Sequence, residues 1–292
     1  MHFDVLILQC QYETYLYTNI FKYNFSEKFI LRKNKIRQIW KEGGAAINGW
    51  LAIPNSFSAE LMANQNWDSV TIDLQHGIND YSTAISMLQA ISTTDTVPLA
   101  RVPWNEPGII MKMLDAGVYG IICPMINTKK ECEDFVKSCR YPPLGHRSFG
   151  PTRAVIYAGA DYAQHANEEI ITMAMIETKG AVDNLDEILS VKGLDAIYVG
   201  PADLSLSYGK KPGFDVEESP VYEVIEKIID KAKENKIFAG IHVGSTKYAH
   251  KMIGLGFSFV SILSDGRIMS QAIENILKEM KEDDIEKKSS IY

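Results

Sequence analysis

Residues 172–205 read TMAMIETKGAVDNLDEILSVKGLDAIYVGPADLS. Two short apolar runs, Thr172–Ile176 and Ala196–Val199, flank a segment of helical period, Val182–Ser190. Apolar runs this short suit buried strands, and two strands joined through a helix pair in parallel. Each run also leads into a carboxylate. Glu177 follows the first directly, and Asp203 follows the second across Gly200-Pro201-Ala202.

The same alternation extends in both directions. Upstream strand candidates are Ile47–Ile53, Ser69–Leu74, Val97–Val102 and Gly120–Pro124; downstream ones are Phe238–Val243 and Phe257–Leu263. Helical segments lie between most of them, at Tyr81–Ile91, Ile109–Ala116, Lys129–Cys139, Val221–Glu234 and Lys247–Gly254. Eight such units over about 250 residues predict an α/β fold, a closed (β/α)₈ TIM barrel. A doubly wound open sheet is the competing architecture. It lacks the Gly-rich phosphate loop expected after its first strand. Residues 1–32, rich in Tyr, Phe, Asn and Lys without clear period, read as a poorly defined extension. The barrel is assigned to 33–280 and a charged, helical tail to 281–292.

The 292 residues carry a formal net charge of −7, which argues against nucleic acid or an anionic membrane as the main partner. No apolar run approaches the roughly 18 residues of a membrane span. Cys10, Cys123, Cys132 and Cys139 form no C-x-x-C pair and read as reduced thiols of a cytoplasmic protein. His146, His165, His242 and His250 make no i, i+4 zinc pair, and there is no G-x-S-x-G elbow or Walker A loop.

Barrel active sites form at the C-terminal ends of the strands. Polar groups gather there: Trp50 near the first end, Asp73 and His76 at the second, and Arg101 at the third. Glu177, Asp203 and His242 stand at the fifth, sixth and seventh. Two carboxylates on adjacent strand ends can share a hard divalent cation; magnesium or manganese suits them, with cobalt a third option. The alternative is that each caps the following helix. Arg101 suits a carboxylate or a developing enolate oxygen, or else a structural ion pair with a rim carboxylate. His76 can take or give a proton near neutral pH. The turn Gly200-Pro201-Ala202 can aim backbone N–H groups at a substrate carboxylate. No lysine ends a strand, which counts against Schiff-base chemistry.

Taken together, WDSVTIDLQHGIND, PLARVPWNEPGIIMKMLDAGVYGIICPM, CRYPPLGHRSFGP and the stretch quoted first resemble the class II, metal-dependent pyruvate aldolases of the HpcH/HpaI aldolase/citrate lyase family. The resemblance covers about residues 33–275. It implies a barrel of the phosphoenolpyruvate/pyruvate-domain type. It implies Glu177 and Asp203 as metal ligands and Arg101 as support for an enolate oxygen. Asp73 resembles the carboxylate that supports the same strand end. Trp50, Met175, Gly200, Pro201, Ala202, Asp203 and His242 would meet substrate. His76 resembles a proton-shuttling histidine, paired with an aspartate from a neighbouring subunit that Asp115 matches. The implied partners are a 2-oxo acid, an aldehyde and further copies of the chain, as a hexamer or trimer of dimers.

Two departures from the family pattern bear on the substrate. Met175 stands where many members have glutamine, and Gln75 where acidic residues are common. Phe149 adds bulk to the GHRSFGP loop, so a modest pocket is expected. The leading expectation is reversible cleavage of a 4-hydroxy-2-oxo acid to pyruvate and an aldehyde. Decarboxylation of oxaloacetate would use the same residues. Cleavage of an acyl-CoA would need a basic groove that the sequence does not show. A barrel that binds metal without turnover is the non-enzymatic alternative.

Overall fold

All eight apolar runs fold as strands in a computed structural model that describes residues 31–289, with side chains through residue 281. They are β1 (Ala46–Leu51), β2 (Ser69–Asp73), β3 (Val97–Arg101), β4 (Gly120–Cys123), β5 (Ile171–Ile176), β6 (Ala196–Val199), β7 (Phe238–Val243) and β8 (Phe259–Ile262). Every neighbouring pair is parallel, and β1 pairs β8 through Ala46↔Phe259 and Asn48↔Ser261. The sheet therefore closes into the predicted barrel.

The first strand is shorter than the sequence suggests. The amides of Ala52 and Ile53 donate to the Asp265 carboxylate, at 2.8 Å for Ala52, instead of extending a ladder. The helix expected over Val182–Ser190 is two short ones, Lys179–Asp183 and Leu185–Leu189. They meet at Asn184, whose side chain donates to the Asn127 carbonyl at 2.8 Å. Helices at Lys35–Lys41, Ser56–Ala63, Ala154–Ala158 and Tyr162–Glu169 were not expected from periodicity.

Six of the helices that follow strands begin on side-chain caps. Asn55, Asp80, Glu106, Thr128, Thr178 and Ser245 each accept backbone N–H bonds of the turn that follows. These caps satisfy donors that a helix start leaves unpaired, and so fix where each strand's rim loop ends.

Alternation along each strand divides its side chains between the barrel interior and the helical layer. The interior is not wholly apolar. Asn48 donates to the Ser261 hydroxyl at 2.9 Å, and its carbonyl oxygen accepts from Ser69 at 2.8 Å and Thr71 at 3.1 Å. All four side chains are fully buried, and their polar groups are paired among themselves, as a dry interior requires. Gly240 leaves space there: a Cβ on it would lie 2.8 Å from the Tyr198 ring.

The expected extension falls, for residues 1–30, outside the described residues. Leu31 and Arg32 already pack on the barrel, with Leu31 buried and the Arg32 amide bonded to the Ala158 carbonyl at 2.9 Å. The last helix, α13 by chain order, runs Asp265–Ser289, so the border drawn at 280/281 lies within it. Met269, Ile273, Ile276 and Leu277 form an apolar stripe on this helix, each 49–59% exposed. Among the described residues no helix is long and apolar enough to cross a membrane.

Candidate active site

The period-two alternation places Trp50, Asp73, Arg101, Met175, Tyr198 and His242 around one cavity of about 390 Å³. Every residue nominated from the sequence lines it except Glu177 and Asp115.

Asp73 and Arg101 form a two-point pair. Arg101 Nε donates to Oδ1 at 2.9 Å and Nη2 to Oδ2 at 2.6 Å. The Trp50 indole also donates to Oδ2, at 3.1 Å, and the amides of Gln75 and His76 donate to Oδ1 at 3.1 and 3.2 Å. Burial would raise the Asp73 pKa, but the Arg101 hydrogen bonds and charge, with the indole and the amide, hold it below the usual carboxylate value. The structural ion pair allowed by the sequence is thus present. It does not exhaust Arg101: among the described residues no hydrogen bond engages Nη1, and the residue still faces the cavity.

Glu177 is 2% exposed and lies just behind Gly200, where a Cβ would stand 2.6 Å from its Oε2. Its Oε1 accepts the Met125 amide at 2.8 Å, and no hydrogen bond among the described residues reaches Oε2. Met125 holds a left-handed φ of 56° at the end of β4 to present that amide. Burial pushes the Glu177 pKa up to about 7, and the nearby Asp203 charge adds to the rise. Asp203 is exposed in the first turn of the helix Pro201–Ser207. Neither carboxylate caps a helix: Thr178 caps the helix after Glu177, and the helix carrying Asp203 has no side-chain cap. The helix-cap alternative is thereby removed for Glu177, whereas Asp203, in the first turn of its helix, still faces that helix's positive end. A donor-free oxygen on the buried Glu177, beside a second, solvent-facing carboxylate, is a donor set that fits a hard cation whose other positions are filled by water and substrate oxygens. No group of three or more His, Cys, Asp or Glu that could hold a metal occurs among the described residues.

His76 is exposed at the rim. His242 packs edge-on to Trp50 at 5.0 Å, and its Nδ1 lies 3.3 Å from the Tyr198 hydroxyl. Burial and the Arg101 charge lower its pKa to about 3, so the ring is neutral at pH 7. Asp115 is outside this chain's cavity and paired with the buried Arg147 at 2.7 Å. Phe149, expected to narrow the pocket, is also elsewhere. It is 73% exposed and packs on Tyr141, because its loop folds back beside Asp115 and not over the barrel mouth.

Tyr198, Phe214, Ser264 and Arg267 line the cavity without having been nominated. Tyr198 was legible as the inward residue two before Gly200. Ser264 and Arg267 follow β8, and the strand-end rule, carried to that strand, points to them.

The fold and rim define a (β/α)₈-barrel protein whose acidic and guanidinium groups converge on one mouth cavity. The chain belongs to the HpcH/HpaI aldolase/citrate lyase family, whose model matches residues 47–272. It is 40% identical over 248 residues to a hydroxypyruvate/pyruvate aldolase of Rhizorhabdus wittichii, covering 85% of this chain and 99% of the relative. It is 33% identical over 247 residues to a 4-hydroxy-2-oxo-heptane-1,7-dioate aldolase of Escherichia coli, covering 83% and 93%. A solved family member from Burkholderia cenocepacia superposes with a TM-score of 0.79 at 28% identity, over 85% of this chain and 99% of that one.

Proposed function

We propose that this chain is a divalent-cation-dependent aldolase that reversibly cleaves a 4-hydroxy-2-oxo acid to pyruvate, or a related 2-oxo acid, and an aldehyde. Relatives named as aldolases at 33–40% identity over most of the chain support the reaction class. The observation that carries the site is the free Oε2 of buried Glu177, pressed against Gly200 on the turn that leads to Asp203.

Glu177 and Asp203 would hold the cation, magnesium or manganese by the hardness of the donors. When bound, it supplies Lewis-acid polarisation of the 2-oxo group. The amides of Ala202 and Asp203, in a first helical turn with no intrahelical acceptor, receive the substrate carboxylate. Arg101, held in place by Asp73, directs Nη1 at the oxygen that gains charge as the enolate forms. His76 takes the proton from the 4-hydroxyl as the C3–C4 bond breaks. The electron pair of that bond passes to the 2-oxo group, and His76 then returns its proton to C3, which yields pyruvate and resets the base. Met175 leaves the inner wall apolar where a polar contact to substrate is absent.

We further infer a homo-oligomer, with Asp115 serving a neighbouring copy's His76. Two features support this: the apolar stripe on α13, and the position of Asp115 outside its own chain's cavity. Cys123, Cys132 and Cys139 are buried free thiols, which agrees with a reducing cytoplasm.

The test is incubation of the purified chain with pyruvate and a panel of aldehydes, with and without a chelator, followed by product identification by mass. No carbon–carbon bond formation with any aldehyde in the presence of Mg²⁺ or Mn²⁺ would remove this reading.

A further inference from the structure

Part of the cavity wall is a run of rings with a guanidinium at each end. The Arg101 guanidinium carbon lies 4.9 Å from the Trp50 ring centre. Trp50 meets His242 edge-on at 5.0 Å, and His242 meets Phe214 at 5.0 Å. Phe214 in turn carries the Arg267 guanidinium carbon 5.0 Å above its ring.

The two arginines differ in one respect. Arg101 is buried and neutralised by Asp73. Arg267 is exposed, lines the mouth of the same cavity, and has no ion pair or side-chain hydrogen bond among the described residues. Asp265, two residues earlier, does not reach it. That carboxylate is bound by the Ala52 and Ile53 amides and the Ser58 hydroxyl. The carboxylate of Asp215, next to Phe214, is likewise taken, by the Gly244 amide at 2.7 Å. The carboxylates flanking this corner in the sequence are therefore turned to backbone donors, and the Arg267 charge faces the opening.

A guanidinium held against an aromatic face keeps its in-plane N–H groups free for a planar or tetrahedral anion. The ring wall between the arginines offers apolar contact to the carbons in between.

We propose that Arg267, seated on Phe214, is a specificity-determining cation that binds an anionic group at the far end of the aldehyde partner, a carboxylate or a phosphate. This deepens the aldolase reading above and rests on it.

The experiment compares kcat/KM for condensation with pyruvate across two matched pairs. One pair is 4-oxobutanoate and butanal; the other is glyceraldehyde 3-phosphate and glyceraldehyde. The wild-type chain is expected to favour the anionic member of at least one pair, and the favoured pair tells carboxylate from phosphate. In Arg267→Met the anionic-to-neutral ratio is expected to fall about tenfold, as for loss of one partly solvated charged hydrogen bond. Arg267→Lys should restore part of it, and Arg267→Glu should reverse the preference. Added salt should lower the wild-type ratio and leave that of Arg267→Met flat.

A wild-type ratio near one in both pairs overturns the proposal, as does a ratio that Arg267→Met leaves unchanged. Exchange of pyruvate methyl protons into deuterated water by the wild-type chain separates the two levels. Exchange together with an unmoved ratio sinks only the Arg267 subsite. Absence of both exchange and condensation sinks the aldolase reading and the subsite with it.

Discussion

Arg101 and Asp73 are joined at two points, Nε to Oδ1 and Nη2 to Oδ2, in a pair buried on both sides. The fork geometry fixes the guanidinium plane, and with it the direction of Nη1, the arm left without a hydrogen bond among the described residues. A lysine at this position carries the charge but cannot reproduce two parallel bonds. Arg101→Lys is therefore expected to lower kcat for retro-aldol cleavage by about 10²–10³, the usual effect of losing one aimed donor. Steady-state kinetics on a 4-hydroxy-2-oxo acid measures this; a change of only a few fold would mean that Arg101 does not support the enolate oxygen.

Asp73→Ala leaves Arg101 buried without its counter-charge. Removing one partner of a buried pair destabilises by about 3–5 kcal/mol. Denaturant unfolding should show that loss, with activity also reduced because Arg101 is no longer aimed.

Glu177 gives a pH signature. Its carboxyl, raised from 4.5 to about 7 by burial, is protonated below neutrality when no cation is present. A cation must displace that proton, so apparent Mn²⁺ affinity should fall as pH drops through about 7, by up to about tenfold per unit below it. Stability of the cation-free protein runs the other way. The buried charge is disfavoured, so stability is greatest at low pH with respect to this group and declines as pH rises from 4.5 through about 7. Calorimetric titration and thermal melts across pH 5–8, with and without Mn²⁺, read both slopes, and Glu177→Gln should abolish both.

Gly200→Ala tests the same corner sterically. The new Cβ would stand 2.6 Å from Glu177 Oε2 and must displace it, although the backbone conformation at Gly200 suits any residue. Cation affinity is expected to fall at least about tenfold while the barrel stays folded. Unchanged Mn²⁺ binding would show that Oε2 is not a ligand.

His76 is exposed on the cavity rim, so His76→Ala should alter stability by no more than about 0.5 kcal/mol. Exchange of pyruvate methyl protons should nevertheless slow by about 10²–10⁴. Unaffected exchange would take His76 out of proton transfer.

Legibility of this fold followed local physics. The runs Ala196–Val199 and Phe238–Val243 match their strands residue for residue, because parallel strands buried on both faces read as near-continuous apolar runs, broken in β7 only by His242. Strand ends and helix breaks were missed where distant groups decide them: Asp265 ends β1 by taking two of its following amides, and Asn127 divides the helix at Asn184. At the site, Asp73, Arg101 and His242 were visible because position along a strand sets which face a residue takes, and Asp203 because it follows closely on the end of β6. Arg267 was passed over because the rule was not followed to the last strand, and Phe214 because a loop residue carries no periodic mark.

A sheet that returns on itself has no terminal strand with unpaired amides to offer a neighbour. Among the described residues, the surfaces left for a second copy of the chain are the outer helices and the rim loops. Charges placed on the α13 stripe to separate the copies of the homo-oligomer proposed above should therefore release monomers with every ladder intact. Their amide protons in the barrel staves would exchange with solvent as slowly as before, while those at the outer ring quicken.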